Sequence, residues 1–212
     1  MVALTGMYNG QVRAVELTRE GAVKMQSMGP KYAVATGEGR VFSQTPTPLG
    51  LAITIYTATA IAGAMPIWNP PGSGVKVRPL FVDLNYGSGT ADFGSIGLMA
   101  RKLKAIATGE LCTAFADTAP INGQPFSGNA SKVMSSNAGT VTVTAGVAGD
   151  FIRSLASINL EAATGTAHGT LVVHYDFDGS LEVMPGVLVY LAATKASVAI
   201  YASTVVWEEI AL

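Results

Sequence analysis

From residue 50 onward, apolar runs of strand length alternate with clusters of Gly, Pro, Asn and Asp, and this rhythm constrains the fold more than any other feature. "LAITIYTAT" (51–59), "VKVRPLFVDLNY" (75–86), "TVTVTAGV" (140–147), "TLVVHYDF" (170–177), "VLVYLA" (187–192) and "SVAIYASTVVWEEI" (197–210) each read as a strand. Their β-branched and aromatic content suits a pleated, half-buried surface. The 140–147 run alternates Val and Thr with period two, and Val75, Val77 and Pro79 share one parity. Turns spaced about 8–12 residues apart predict an all-β chain, an antiparallel sandwich or barrel. One helix competes: "SIGLMARKLKAI" sets Ile96, Met99, Leu103 and Ile106 at helical spacing, though Gly94 and Gly97 weaken it. The polar, turn-rich segment 118–139 reads as a long surface loop.

Residues 1–45 carry weaker periodicity and many breaks, so they read as an N-terminal arm, with 46–212 as the β-sandwich domain. The arm holds five of the thirteen basic residues, Arg13, Arg19, Lys24, Lys31 and Arg40, and apolar points that include Tyr32 and Phe42. Such a segment gains stability by lying on another chain. Arg13, Arg19, Tyr32, Arg40 and Phe42 are therefore the candidate partner-binding residues.

Charged residues make up only 13% of the chain, about half the share in ordinary soluble domains. A surface so sparsely charged is expected to be covered in part by neighbouring subunits. A Thr/Ser/Gly surface on a compact β-domain would explain the same deficit. The net charge of −1 gives no global field for nucleic acid. Ten Lys/Arg face five Asp/Glu through Lys104, and three face nine after it. This polarity either docks the chain on an acidic surface or reflects chance clustering. The single cysteine, Cys112, excludes an internal disulfide and a cysteine-based zinc site, and its neighbours suggest a small buried hydrophobe. The N-terminus lacks the continuous apolar segment of a signal peptide. The charge-free stretch between Arg40 and Lys76 is too diluted by Thr, Gly and Pro for a membrane span.

Each motif that could carry chemistry also has a plainer reading. Gly72-Ser73-Gly74 precedes Val75-Lys76-Val77, so the Ser/Thr after the lysine of a phosphate loop is missing and a strand follows where a helix should. The stretch reads as a turn set by Pro70, Pro71, Gly72 and Gly74. "DFDGSLE" (176–182) offers Asp176 and Asp178 to a cation, but Asp178-Gly179 is a hairpin-turn signal and a third calcium ligand is absent. His168 and His174, even on one strand, would sit about 20 Å apart, too far for one metal. No nucleophile elbow is present, and no pair of carboxylates can be singled out. Trp207 in "VVWEEI" reads as core or subunit contact. No cofactor, metal or catalytic residue is expected.

Three stretches together carry a resemblance. "IWNPPGSGVKVRPLFVDLNYGSG", "APINGQPFSGNASKVM" and "HYDFDGSLEVMPGVLVYLAA" followed by "VVWEEI" resemble, in order and spacing, small structural proteins of tailed bacteriophages. The resemblance covers about 50–212. It implies a β-sandwich or jelly-roll virion component with no enzymatic activity, often trimeric. Such a protein decorates or cements the capsid exterior, with the major capsid protein and its own copies as partners, after assembly in the host cytoplasm. Nucleic acid and membrane are not expected partners. A head-fibre, tail or receptor-binding module is the alternative, and an enzyme on a jelly-roll scaffold is a further one. Where the family position of the chain is read from turn chemistry, its place in the particle stays open between these.

Overall fold

The computed structural model describes residues 5–8, 11–14, 16–17, 23–24, 31–45, 50–53, 61–89, 94–102, 112–113, 121–123, 128–135, 141–143, 150–158, 172–194 and 200–212. The chain forms two compact units, 1–34 and 35–212.

The first unit contains two antiparallel strand pairs. β1 (Thr5–Tyr8) pairs with β2 (Gln11–Ala14), and β3 (Glu16–Leu17) pairs with β4 (Val23–Lys24). Tyr8 lies opposite Gln11.

The second unit is a sandwich of two antiparallel sheets. α1 (Ala33–Gly37) spans the boundary between the units, and β5 (Val41–Gln44), β6 (Leu51–Ala52), β7 (Ile61–Asn69), β8 (Val75–Ser88) and β9 (Gly94–Lys102) follow. The second unit continues with β10 (Cys112–Thr113), β11 (Ile121–Asn122), β12 (Met134–Ser135), β13 (Val141–Val143) and β14 (Asp150–Ile158). It closes with β15 (Val172–Asp176), β16 (Val187–Ala193) and β17 (Ile200–Ala211). Sheet I has the order β10-β13-β7-β16-β9-β14, with β12 also on β7. Sheet II has the order β11-β5-β17-β8-β15, with β6 also on β17.

Eight strands carry the architecture: β5, β7, β8, β9, β14, β15, β16 and β17. Numbered one to eight along the chain, they run 1-8-3-6 in sheet II and 2-7-4-5 in sheet I. The adjacent pairs 1-8, 2-7, 3-6 and 4-5 each sum to nine, so the path is that of one long hairpin ribbon wound over both sheets. The core lies between the sheets. Val77, Val82, Leu84, Tyr201, Val205 and Trp207 of sheet II meet Met65, Ile67, Ile96, Leu98, Val189 and Leu191 of sheet I.

Several expectations change here. Residues 35–45, read as arm, belong to the sandwich unit, and β5 pairs with β17 over Val41–Gln44. Residues 96–102 are strand β9 and not helix; glycines 94 and 97 cost helix stability, while pairing on both sides favours the strand. The segment 118–139 is more than a surface loop. Its β11 extends sheet II, its β12 pairs in sheet I, and Val133 joins the core. His168, Arg19, residues 144–147 and the Cys112 side chain lie outside the described residues.

The two prolines inside strands both sit at bulges, where a missing N–H costs no ladder bond. Pro79 pairs with Trp207 and Phe81 with Val206, so Leu80 is an extra residue and the buried parity of β8 flips there. Pro66 lies at the register shift of β7, next to Met65 at φ 52°.

Candidate functional site

The opening turn of the quoted motif is a corner between the sheets, not an anion site. Ser73 N–H bonds Pro70 C=O at 3.2 Å, and Gly72 has φ 81°. Pro71 then Gly72 at the two central positions is the pattern of a type II turn. Asn69, fully buried, fastens it: its Nδ2 donates to Val75 C=O (2.9 Å) and Val183 C=O (3.0 Å), and its Oδ1 accepts from Ser73 Oγ (2.6 Å). The Ser73 N–H, the Ser73 hydroxyl and the Val75 N–H are all bonded within the loop.

Asp178 and Gly179 both have positive φ, 47° and 73°, with Ser180 N–H bonded to Phe177 C=O at 2.8 Å. This is a type I′ turn, yet it makes no hairpin. Asp176 pairs with Phe81, and Val183 bridges Val77 further along the same strand, β8. The chain therefore loops out and resumes its direction. Asp176 Oδ1 accepts from Asp178 N–H at 2.8 Å, a local turn contact. Among the described residues no group of three or more His, Cys, Asp and Glu side chains converges.

Of the predicted partner-binding residues, Arg13 and Tyr32 lie in the first unit, and Arg40 and Phe42 in the second. Arg13 lies on β2 opposite Gly6. Tyr32 is half-buried, with the Lys31 ammonium 5.3 Å from its ring centre. Phe42 is a core residue stacked on Trp207 at 6.4 Å between ring centres. The short apolar patch Val41–Phe42 was the signal of a buried strand and not of a sticky arm. Trp207, fully buried, is core as expected.

Arg40 heads a chain of charges across the solvent face of sheet II. It binds Glu38 through Nε at 2.6 Å and Glu208 through Nη1. Glu208 also lies 3.7 Å from Arg78, which binds Glu182 at 2.7 Å, and Glu182 binds Lys76 at 2.9 Å. Three cations thus meet three carboxylates in a closed set. Burial pulls the Arg40 guanidinium down, but the hydrogen bond to Glu38 and the charges of Glu208 and Glu38 outweigh it, so the net shift is upward. Hydrogen bonds from Arg78 and then Lys76 hold the Glu182 carboxyl below its usual range. The Lys76/Arg78 spacing in "VKVR" was a readable signal for this face; their shared acidic partner, Glu182, 106 and 104 residues away, was not.

Glu209, on the core side of β17, is buried and accepts from Ser131 Oγ (2.5 Å), Lys132 N–H (3.0 Å) and Trp207 Nε1 (3.3 Å). It fastens the segment that leads into β12 to the opposite sheet. At the other edge, Arg153 of β14 closes the gap to β15. Its Nη1 donates to Ser180 Oγ at 2.6 Å, and its guanidinium lies 6.0 Å from the Phe177 ring centre. A small gap in the core, bordered by Met65, Ile67, Pro79 and Phe177, has apolar walls and no polar group to orient a ligand.

Among the described residues the arrangement is one of braces and latches, with no cleft where titratable groups meet. No family model, curated protein or solved structure matches this chain.

Proposed function

We propose that this chain is a non-enzymatic structural component of a tailed-bacteriophage particle. In this reading it is a decoration or cement protein on the capsid exterior that binds across joints between major capsid subunits. The observation that carries the reading is the strand order 1-8-3-6 over 2-7-4-5. We read it as a jelly roll, two interlocked Greek keys, an architecture that virion components share with lectins and cupins. Fold alone assigns no function; the order of turn motifs and the 13% charged content add the virion term. Mechanistically, many copies each bury a modest area over a joint and resist its opening, and their effects sum over the shell. Self-association into a trimer or larger ring suits a capsid's symmetry.

The test is co-sedimentation of the full chain with undecorated shells, together with its copy number in purified particles. Saturable binding at a copy number that scales with the capsid subunits is the expected result. A copy number fixed at a few per particle would assign it to a head fibre, the tail or a receptor-binding module, and no binding would overturn the virion reading.

A further inference from the structure

We propose that the β14 edge of sheet I is a self-complementary contact that joins two copies of this chain about a twofold axis. Among the described residues β14 pairs on one side only, with β9. Simple strand alternation would send Phe151 and Ile152 to opposite faces. A bulge intervenes: Phe151 pairs with Met99 and Arg153 with Leu98, so Ile152 is an extra residue. Bulges re-aim side chains in this way. Both neighbours are consequently exposed, Phe151 by 45% and Ile152 by 39%. The Phe151 ring lies over Gly97, where a Cβ would collide with it. Arg153 is held by Ser180 and Phe177. The apolar pair and its flanking cation are thus fixed before any partner arrives, which lowers the ordering cost of association.

The occupant follows from the order of the residues. Asp150-Phe151-Ile152-Arg153 runs acidic, apolar, apolar, basic. Set antiparallel against itself, it places Asp150 opposite Arg153 and Phe151 opposite Ile152, at both ends of the contact. Only a second copy presents that reversed order in the right register, and a twofold axis satisfies it once and closes. The bulges at Ile152 and Leu155 interrupt the outer edge, so the contact is led by side chains and does not propagate as continued strand addition. The contact is independent of the virion reading: a dimer that binds no shell would sink that reading and leave this one standing.

The test is sedimentation equilibrium of the full chain, with circular dichroism as the folding control. Phe151→Ser is expected to weaken the twofold association by about 30-fold, the scale of a central apolar anchor. Asp150→Arg sets like charges together and also weakens it, while Asp150→Arg with Arg153→Asp associates more tightly than Asp150→Arg alone. Asp150 is exposed, so the Asp150→Arg variant folds and decides the matter even where Arg153→Asp disturbs the β15 edge. Association constants unchanged in Phe151→Ser and Asp150→Arg, or a wild-type chain that stays monomeric at concentrations on the order of 100 μM, would overturn the proposal.

Discussion

Sheet II and sheet I solve the same packing problem with opposite patterns. In β17 of sheet II, buried and half-exposed residues alternate from Ile200 to Trp207. In β16 of sheet I, six consecutive residues from Leu188 to Ala193 are buried. Val189, Leu191 and Ala193 face the sandwich core, and Leu188, Tyr190 and Ala192 face away from it, as does Met99 on β9. Sheet II therefore meets solvent on one face and carries its charges there, whereas both faces of sheet I around β16 are withdrawn from water. The difference shows in composition: "STVVWEEI" mixes polar and apolar residues, and "VLVYLAA" is a continuous apolar run. A one-faced strand needs polar residues at every second position; a two-faced one excludes them.

Substitutions at adjacent residues test this contrast between the sheets. The largest effect is expected at Trp207, where Trp207→Ala removes a fully buried ring and costs about 3–5 kcal/mol, while Val206→Ala next to it costs under about 1 kcal/mol. Urea denaturation measures both, and equal costs would break the one-faced description of β17. In β16 the neighbours should both matter: Leu188→Ala is expected to cost about 2–4 kcal/mol and Val189→Ala about 1–3 kcal/mol. A harmless Leu188→Ala would show that the outer face of sheet I is not sealed.

Glu209→Ala comes next. It leaves Lys132 N–H and Trp207 Nε1 without their acceptor, while Ser131 Oγ keeps Val133 C=O, at about 1–3 kcal/mol. Hydrogen exchange at the Lys132 amide should speed up before the core amides of β17 do, since the latch holds a segment shared by both sheets.

The smallest effect concerns the solvent face of sheet II. The Glu182 carboxyl titrates lower in the folded chain than in the unfolded one. On acidification the unfolded state binds the proton first, so this contribution is whole above the ordinary carboxylate range and is lost as pH falls through the folded value. Glu182→Gln should flatten the acid limb of the stability profile slightly, and added salt should mimic it, because the pair is exposed and screened. An unchanged acid limb would mean that the Lys76–Glu182–Arg78 set contributes nothing.

Local chemistry made much of the fold legible. Shared parity at Val75, Val77 and Pro79 marked β8, β-branched and aromatic content marked β17, and Pro71-Gly72 and Asp178-Gly179 marked turns whose φ values the structure bears out. Where reading failed, a distant partner had decided the matter. Phe42 looked like an exposed arm residue because its partner, Trp207, lies far along the chain. The 95–106 run looked helical because spacing cannot report that β14 and β16 flank its part in β9 on either side. Asp178-Gly179 announced a reversal, but the next pairing, Val183 with Val77, kept the chain in its lane.

The class of the chain is written in its residues: strands, turns, a sparsely charged surface and a core rich in Val, Leu and Ile. These follow from backbone sterics and side-chain periodicity, which act over a few residues. The winding order of the eight strands, the closed charge set from Glu38 to Lys76 and the exposed Phe151–Ile152 pair at a bulge come from the folded chain alone. Each of these depends on register between segments tens of residues apart. Register is chosen by the packing of whole sheets, which no local window of sequence contains.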